Sequence, residues 1–223
     1  MNYELNFFFV WRNLDSLLEG LLLTLELTGL SIVIGLSAGF VVALLRMSPI
    51  RILSLPAITF IEIFRCTPML IQIVWVFYCL PILFDLSISP YASALLALGL
   101  NATAFNAEAY RAAIQAIPRA HLDAGVALGL NYLHRVRYIV FPQAFRTAAP
   151  VLITNGVGIF QQSALLSVIA IAELMYKGKM LATQTYRPIE TLTTVALLYF
   201  IVAFPITQTV KRIEDRVAAR IGG

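Results

Sequence analysis

The chain has 223 residues, 60% of them hydrophobic and only 13% charged, with a mean hydropathy of +0.84 and a formal net charge of +4. A soluble domain of this length covers itself with far more Lys, Glu and Asp, so composition excludes a soluble globular protein and turns the apolar surface toward lipid. The basic residues fall between apolar runs rather than in a stripe with interleaved aromatics, which excludes a nucleic-acid partner.

Residues 1–16 form an extracytoplasmic N-terminal segment in which Phe7, Phe8, Phe9 and Trp11 suit either an aromatic anchor at the outer interface or a mere leader. A bilayer core needs about 20 apolar residues of helix, and five runs meet that length. The first extends from about Leu17 to Leu45 and closes at Arg46, Ser48, Pro49 and Arg51; the second, about Leu53 to Leu80, closes at Pro81. The third covers about Tyr91 to Ile114, the fourth about Ala148 to Ile171 and the fifth about Ile189 to Val210. An all-α membrane protein of about five transmembrane helices is expected, with residues 17–210 as its membrane domain and 211–223 as a tail. The two cysteines, Cys66 and Cys79, share one run and stand about 20 Å apart along a helix, too far to pair. No Cys and His cluster has metal-ligand spacing, so no metal site is expected.

Basic residues mark the cytoplasmic side. Arg46 and Arg51 follow span one; Arg111, Arg119, Arg135, Arg137 and Arg146 lie between spans three and four; Lys211, Arg212, Arg216 and Arg220 form the tail. These regions are expected in the cytoplasm, which places the N-terminus outside. Opposite them, Arg12, Lys177, Lys179 and Arg187 are offset by acids such as Glu19, Glu173 and Glu190.

One connection is long, Gln115 to Thr147, and a loop of this size carries function or its own helix. Pro118 suits an early helical position and Gly129 followed by Asn131 suits a stop, so a short surface helix is expected from about Arg119 to Leu128. Arg119, His121 and Asp123 keep it out of lipid, while an Ala and Gly face allows another protein to approach closely.

Around this loop stand Glu108-Ala109-Tyr110-Arg111, Ile117-Pro118-Arg119, Asp123-Ala124-Gly125-Val126-Ala127-Leu128-Gly129-Leu130 and Ile139-Val140-Phe141-Pro142-Gln143-Ala144. The array resembles the EAA loop of ABC importer permeases in both spacing and residue type. Ile63-Phe64-Arg65-Cys66-Thr67-Pro68-Met69-Leu70-Ile71-Gln72 and Phe160-Gln161-Gln162-Ser163-Ala164-Leu165 are similar to the polar amino acid uptake branch, with the glutamate and aspartate permeases nearest. The resemblance extends from span one to the tail. It implies the type I importer permease fold, a bacterial inner-membrane location, two ATPase subunits that carry ATP and Mg, a second permease subunit, identical or homologous, and an extracytoplasmic amino-acid-binding protein. It also implies ATPase coupling through Arg119, Asp123, Ala124, Gly125, Leu128, Gly129 and Pro142. Three departures stand out. Asp123 replaces the usual Glu, Gly125 the second Ala, and Arg119-Ala120-His121 a more common Lys-Gly-Gln. Gln162 stands where the branch often has an acid, which argues against a cationic substrate.

No Gly-rich loop ends in Gly-Lys-Ser or Gly-Lys-Thr, and no Lys precedes Lys177, so this chain is not expected to bind ATP or act as an enzyme. Pro142 is expected to fix the beginning of span four and Asp123 to cap the helix or pair with a base on the ATPase. Charge within lipid is expensive. Glu62 with Arg65, and Glu108 with Arg111, share helix faces at a spacing of three, as bundle supports or as substrate contacts. Gln161, Gln162 and Ser163 form a polar cluster in span four, able to bind a carboxylate or simply to bond neighbouring helices; Gln72 and Tyr78 are secondary candidates. Gly156 and Gly158 just before the cluster permit close packing or unwinding. A secondary transporter, a channel subunit or a membrane scaffold shares the composition, but none of them needs the docking loop.

Overall fold

The computed structural model describes the backbone of residues 4–221 and the side chains of residues 4–210. The tail cations Lys211, Arg212, Arg216 and Arg220 lie outside the described side chains. Every regular element is helical: α1 (Phe8–Arg12), α2 (Leu14–Arg46), α3 (Arg51–Cys66), α4 (Met69–Phe84), α5 (Pro90–Gln115), α6 (Arg119–Ala127), α7 (Tyr132–Ile169), α8 (Leu174–Thr185) and α9 (Pro188–Ile221).

By length and apolarity, α2, α7 and the Pro188–Val210 part of α9 each suffice to cross a membrane, and α3 with α4 supplies a fourth crossing if the bent pair is one span. The third expected span, α5, has 26 residues, a length of about 39 Å at the helical rise. Its composition is too mixed to pass the same test because it lies at the centre. Ser93, Asn101, Thr103 and Asn106 are buried against neighbouring helices, so a polar side chain here meets protein rather than lipid.

The α2–α5 contact organises the bundle. Buried positions of α2 include Gly20, Thr24, Thr28, Ser31, Gly35, Gly39 and Ala43, a stripe of small residues at helical spacing. Added to Gly35, a Cβ would stand 2.5 Å from Ala102 Cβ; added to Gly39, it would stand 2.9 Å from Asn106 Cβ and 3.2 Å from the Thr103 carbonyl oxygen. The two backbones can therefore touch only where side chains are missing. The rest of α2 turns large residues outward, Leu22, Leu30 and Val33 among them.

The second expected span is not one helix. It breaks at Thr67-Pro68, and α3 and α4 meet at a bend of 112°. Pro68 has no N–H to give to the carbonyl four residues back and disfavours a helical Thr67, which sits instead at φ −106°, ψ 143°. Pro81 and Pro142, expected as boundaries, lie inside helices. Each follows by two residues a turn widened to π geometry, at Trp75–Cys79 and at Val136–Val140; the wider turn gives the proline ring room beside the preceding carbonyls. Span four accordingly begins at Tyr132 rather than near Ala148, and it tightens at its end into a 3₁₀ stretch over Ser163–Ile169.

Helix α8 was not expected from hydropathy. Glu173 caps it, accepting from the backbone N–H groups of Met175 at 2.9 Å and Tyr176 at 2.7 Å. The same carboxylate accepts from the Tyr199 hydroxyl of α9 at 2.9 Å and lies 3.5 Å from the Thr24 hydroxyl of α2. Burial pushes the Glu173 carboxyl up from its usual range, opposed by these donors. At this end Lys177 pairs with Glu19 at 3.4 Å and Arg187 with Glu190 at 2.9 Å. Near them α1 leaves Phe8 and Trp11 exposed, as an interfacial anchor requires.

Because backbone blocks the space at Gly39, Gly39→Val is expected to destabilise the α2–α5 contact by about 1–3 kcal/mol. A wild-type thermal midpoint for the detergent-purified variant would contradict that packing.

Candidate translocation path and coupling site

Helix α6 occupies the expected place and ends as expected. Gly129 adopts φ +72°, the Gly129 N–H bonds the Val126 carbonyl at 2.9 Å and the Leu130 N–H bonds that of Gly125 at 3.1 Å. This is a Schellman stop, and it needs a residue that tolerates the left-handed region. Arg119, Asp123, Ala124, Leu128 and Gly129 are all exposed, and Asp123 has no hydrogen-bond or ion-pair partner among the described residues. It caps no helix: the residue before α6 is Pro118, which offers no side-chain bond.

Gly125 faces the other way. It is buried, and a Cβ there would stand 2.6 Å from Ile139 Cδ1 and 3.2 Å from Arg135 Cγ. Its small size serves packing of α6 against α7 within this chain rather than an outer docking face. Leu122 joins the adjoining apolar core, and His121 Nδ1 lies 2.8 Å from Gln143 Oε1. Pro142 sits inside α7 beside these contacts instead of at its beginning. Exposed Val126 and Leu128 on α6 continue into exposed Tyr132, Leu133 and Tyr138 on α7. The α7 part of these exposed apolar residues was not anticipated, although Tyr132 and Leu133 just after the Gly129 stop were its signal.

The intramembrane charges regroup. Glu108 and Arg111 pair through Glu108 Oε1 as their spacing predicts. The other oxygen of Glu108 accepts from Arg46 at 2.5 Å, and Arg46 also lies 3.8 Å from Glu62. Glu62 therefore pairs across helices with Arg46, not with Arg65 on its own helix. The guanidinium of Arg65 lies 5.8 Å from the Phe105 ring centroid instead. Sequence spacing misses Arg46 because the partner comes from the end of α2, 16 residues and one turn of chain away.

Gln72 is structural. Its Nε2 lies 2.8 Å from the Phe64 carbonyl, 3.0 Å from the Thr67 carbonyl and 2.9 Å from the Thr67 hydroxyl, while its Oε1 accepts from Asn101 at 2.9 Å. Phe64 is the residue whose helical donor Pro68 removes, so Gln72 fills the vacancy at the bend. Tyr78 is exposed and edge-on to Phe77, with ring centroids 4.7 Å apart, and does not line the cavity that holds Gln162.

Of the span-four cluster, only Gln162 enters that cavity. Gln161 is exposed, and buried Ser163 donates to the Phe160 carbonyl at 2.7 Å. Gln162 lines a space of about 110 Å³ together with Asn101, Phe105, Thr154, Asn155 and Gly158, and its buried Oε1 has no partner. Asn155 in turn donates to Asn106 of α5 at 3.0 Å. The α5 amide of this lining, Asn101, was legible as a polar residue in an apolar run, but nothing in the sequence aligns it with Gln162.

Residues 31–221 match the family model described as "binding-protein-dependent transport system inner membrane component". The chain belongs to that family. Among similar proteins, the arginine transport system permease protein ArtQ of Bacillus subtilis is 31% identical over 90% of this permease and 92% of its own length. The glutamine transport system permease protein GlnP of Escherichia coli K12 is 31% identical over 93% and 95%. A structure titled as an amino acid ABC transporter with histidines superposes with a TM-score of 0.85 at 30% identity, covering 96% of this permease and 100% of that chain. The MetNI methionine transporter, at a TM-score of 0.70 and 23% identity, shares the fold. The permease fold read from the loop motif, and the resemblance to amino-acid importers read from the segments at residues 63–72 and 160–165, are thus borne out.

The two glutamines should separate on substitution. Gln72→Ala leaves the Phe64 carbonyl and the Asn101 amide only their long 3.5 Å bond to each other and should cost about 1–3 kcal/mol, whereas Gln162→Leu removes an unpaired oxygen and should cost little. Equal losses of thermal stability in the purified permease would refute this division.

Proposed function

We propose that this permease forms the translocation path of an ATP-driven importer for a polar amino acid, coupled through α6 to separate ATPase subunits. The observation that carries the reading is the rigid attachment of exposed α6 to α7, the helix that also holds Gln162. Gly125 against Ile139 and His121 against Gln143 fasten the docking element near one end of α7; Gln162 lies 19 residues beyond Gln143, about 28 Å away at the helical rise. A displacement imposed on α6 by a closing ATPase dimer is carried along α7 to the amide-lined cavity.

In this reading the α6 end, with Arg119, Arg135, Arg137 and Arg146, is cytoplasmic in a bacterial inner membrane, and the N-terminus is outside. ATP and Mg belong to the partner subunits, a second permease subunit completes the path, and an extracytoplasmic binding protein delivers the substrate. Asp123, Val126, Leu128, Tyr132 and Leu133 form the docking surface. Gln162 contributes an uncompensated acceptor that suits the ammonium or carboxamide donors of an amino acid. Names among the relatives support this class, and neutral Gln162 favours glutamine-like over cationic cargo.

Reconstitution with the ATPase and binding protein should give uptake that depends on ATP; uptake that persists without ATP would defeat the reading. Gly129→Asp tests the docking surface, since Asp tolerates the left-handed conformation and leaves charge as the main change. Membrane insertion should persist while uptake falls at least about tenfold, the equivalent of some 1.4 kcal/mol of lost contact; normal uptake by this variant would remove α6 from the coupling role.

A further inference from the structure

Beyond the amide-lined cavity, between α3, α5 and α7, lies a second space of about 420 Å³, bordered by Arg65, Phe105, Glu108, Thr147 and Asn155. Phe105 and Asn155 line both spaces, so the ring of Phe105 stands at the step from one to the other. A volume of this order accommodates a small polar solute.

Arg65 and Glu108 are the charged residues that border this vestibule, and they belong to a wider cluster whose charges do not cancel. Three guanidinium groups, Arg46, Arg65 and Arg111, face two carboxylates, Glu62 and Glu108, which leaves one positive charge. Both carboxylates are engaged by Arg46, and Glu108 also by Arg111. Of these three guanidinium groups Arg65 is the one that makes no salt bridge, although its charge acts on Glu108, and it is exposed and rests over Phe105. An arginine that makes no salt bridge at the edge of a cavity in a membrane protein is free to bind an anionic group there.

We infer that Arg65 receives the α-carboxylate of the transported amino acid as it passes Phe105, making the vestibule a second, side-chain-independent binding station on the exit side of Gln162. A guanidinium fork fits a carboxylate with two parallel hydrogen bonds, and the carboxylate is the group that all amino acids share. Specificity is then exercised at the amide cavity, while Arg65 draws any accepted substrate onward. This assignment rests on the importer reading, because it places the vestibule toward the cytoplasm.

The test uses the complete transporter with its ATPase and binding protein in vesicles, supplied with a uniformly ¹⁴C-labelled amino-acid mixture. Arg65→Gln should lower ATP-driven uptake roughly tenfold, the loss expected for a hydrogen bond to a charged group, and Arg65→Lys should recover a substantial part of it. Uptake by Arg65→Gln at the wild-type rate, or a Lys variant as inactive as the Gln variant, would overturn the assignment. Failure of the wild type itself to accumulate any amino acid would instead strike the importer reading. A second measurement is independent of transport. With Cys66→Ser, Cys79→Ser and Phe105→Cys combined, the anionic sulfonatoethyl methanethiosulfonate reagent added from the cytoplasmic side should outpace its cationic aminoethyl counterpart. Adding Arg65→Gln should reduce that preference severalfold, and an unchanged preference would mean that Arg65 does not set the field of the vestibule.

Discussion

Everything in this bundle depends on how closely α2 can lie against α5. In a hydrocarbon solvent apolar side chains gain nothing by leaving lipid for protein, so helices are held by van der Waals contact and polar bonds at short range. Gly35 and Gly39 permit that range. With α2 in place, the central α5 is hidden from lipid and can hold Asn101, Thr103 and Asn106, and with them the polar lining on its far side. The same contact brings Arg46, at the end of α2, to Glu108. Polar chemistry inside the bundle is thus a consequence of missing side chains on its neighbour.

Two kinds of polar residue share this interior and look alike in sequence. Gln72 and Gln162 are both amides within apolar runs. The first is saturated by the broken backbone at Pro68 and locks a bend; the second retains a free acceptor in a cavity. The distinction is one of hydrogen-bond accounting, which only the fold supplies.

What the sequence made legible follows the range of the physics involved. The first, third and fifth apolar runs, the surface helix α6 and its Gly129 stop depend on local composition and local backbone preference, and they stand near where they were read. Glu108 with Arg111 depends on one helical turn and also holds. The failures are those of tertiary context: Glu62 leaves its helical neighbour for Arg46, the 112° bend splits one apolar run into two helices, and Gly125 turns inward although its sequence neighbours face out. Pro81 and Pro142 were misread because a widened turn absorbs a proline that would otherwise end a helix. Helix α8 escaped because its 12 residues are too short for a hydropathy window, and its anchor, Glu173, reads as a surface charge until Thr24 and Tyr199 close around it.

The fastening of α6 bears on modularity. Because Gly125 fits against Arg135 and Ile139, and His121 against Gln143, α6 is not an interchangeable cassette. Grafting residues 119–129 alone into another permease would transplant the proposed docking surface without the seat that holds it against α7. A chimaera that retains mechanical continuity would have to carry the stretch through Gln143 as a single block, with the widened turn at Val136–Val140 included.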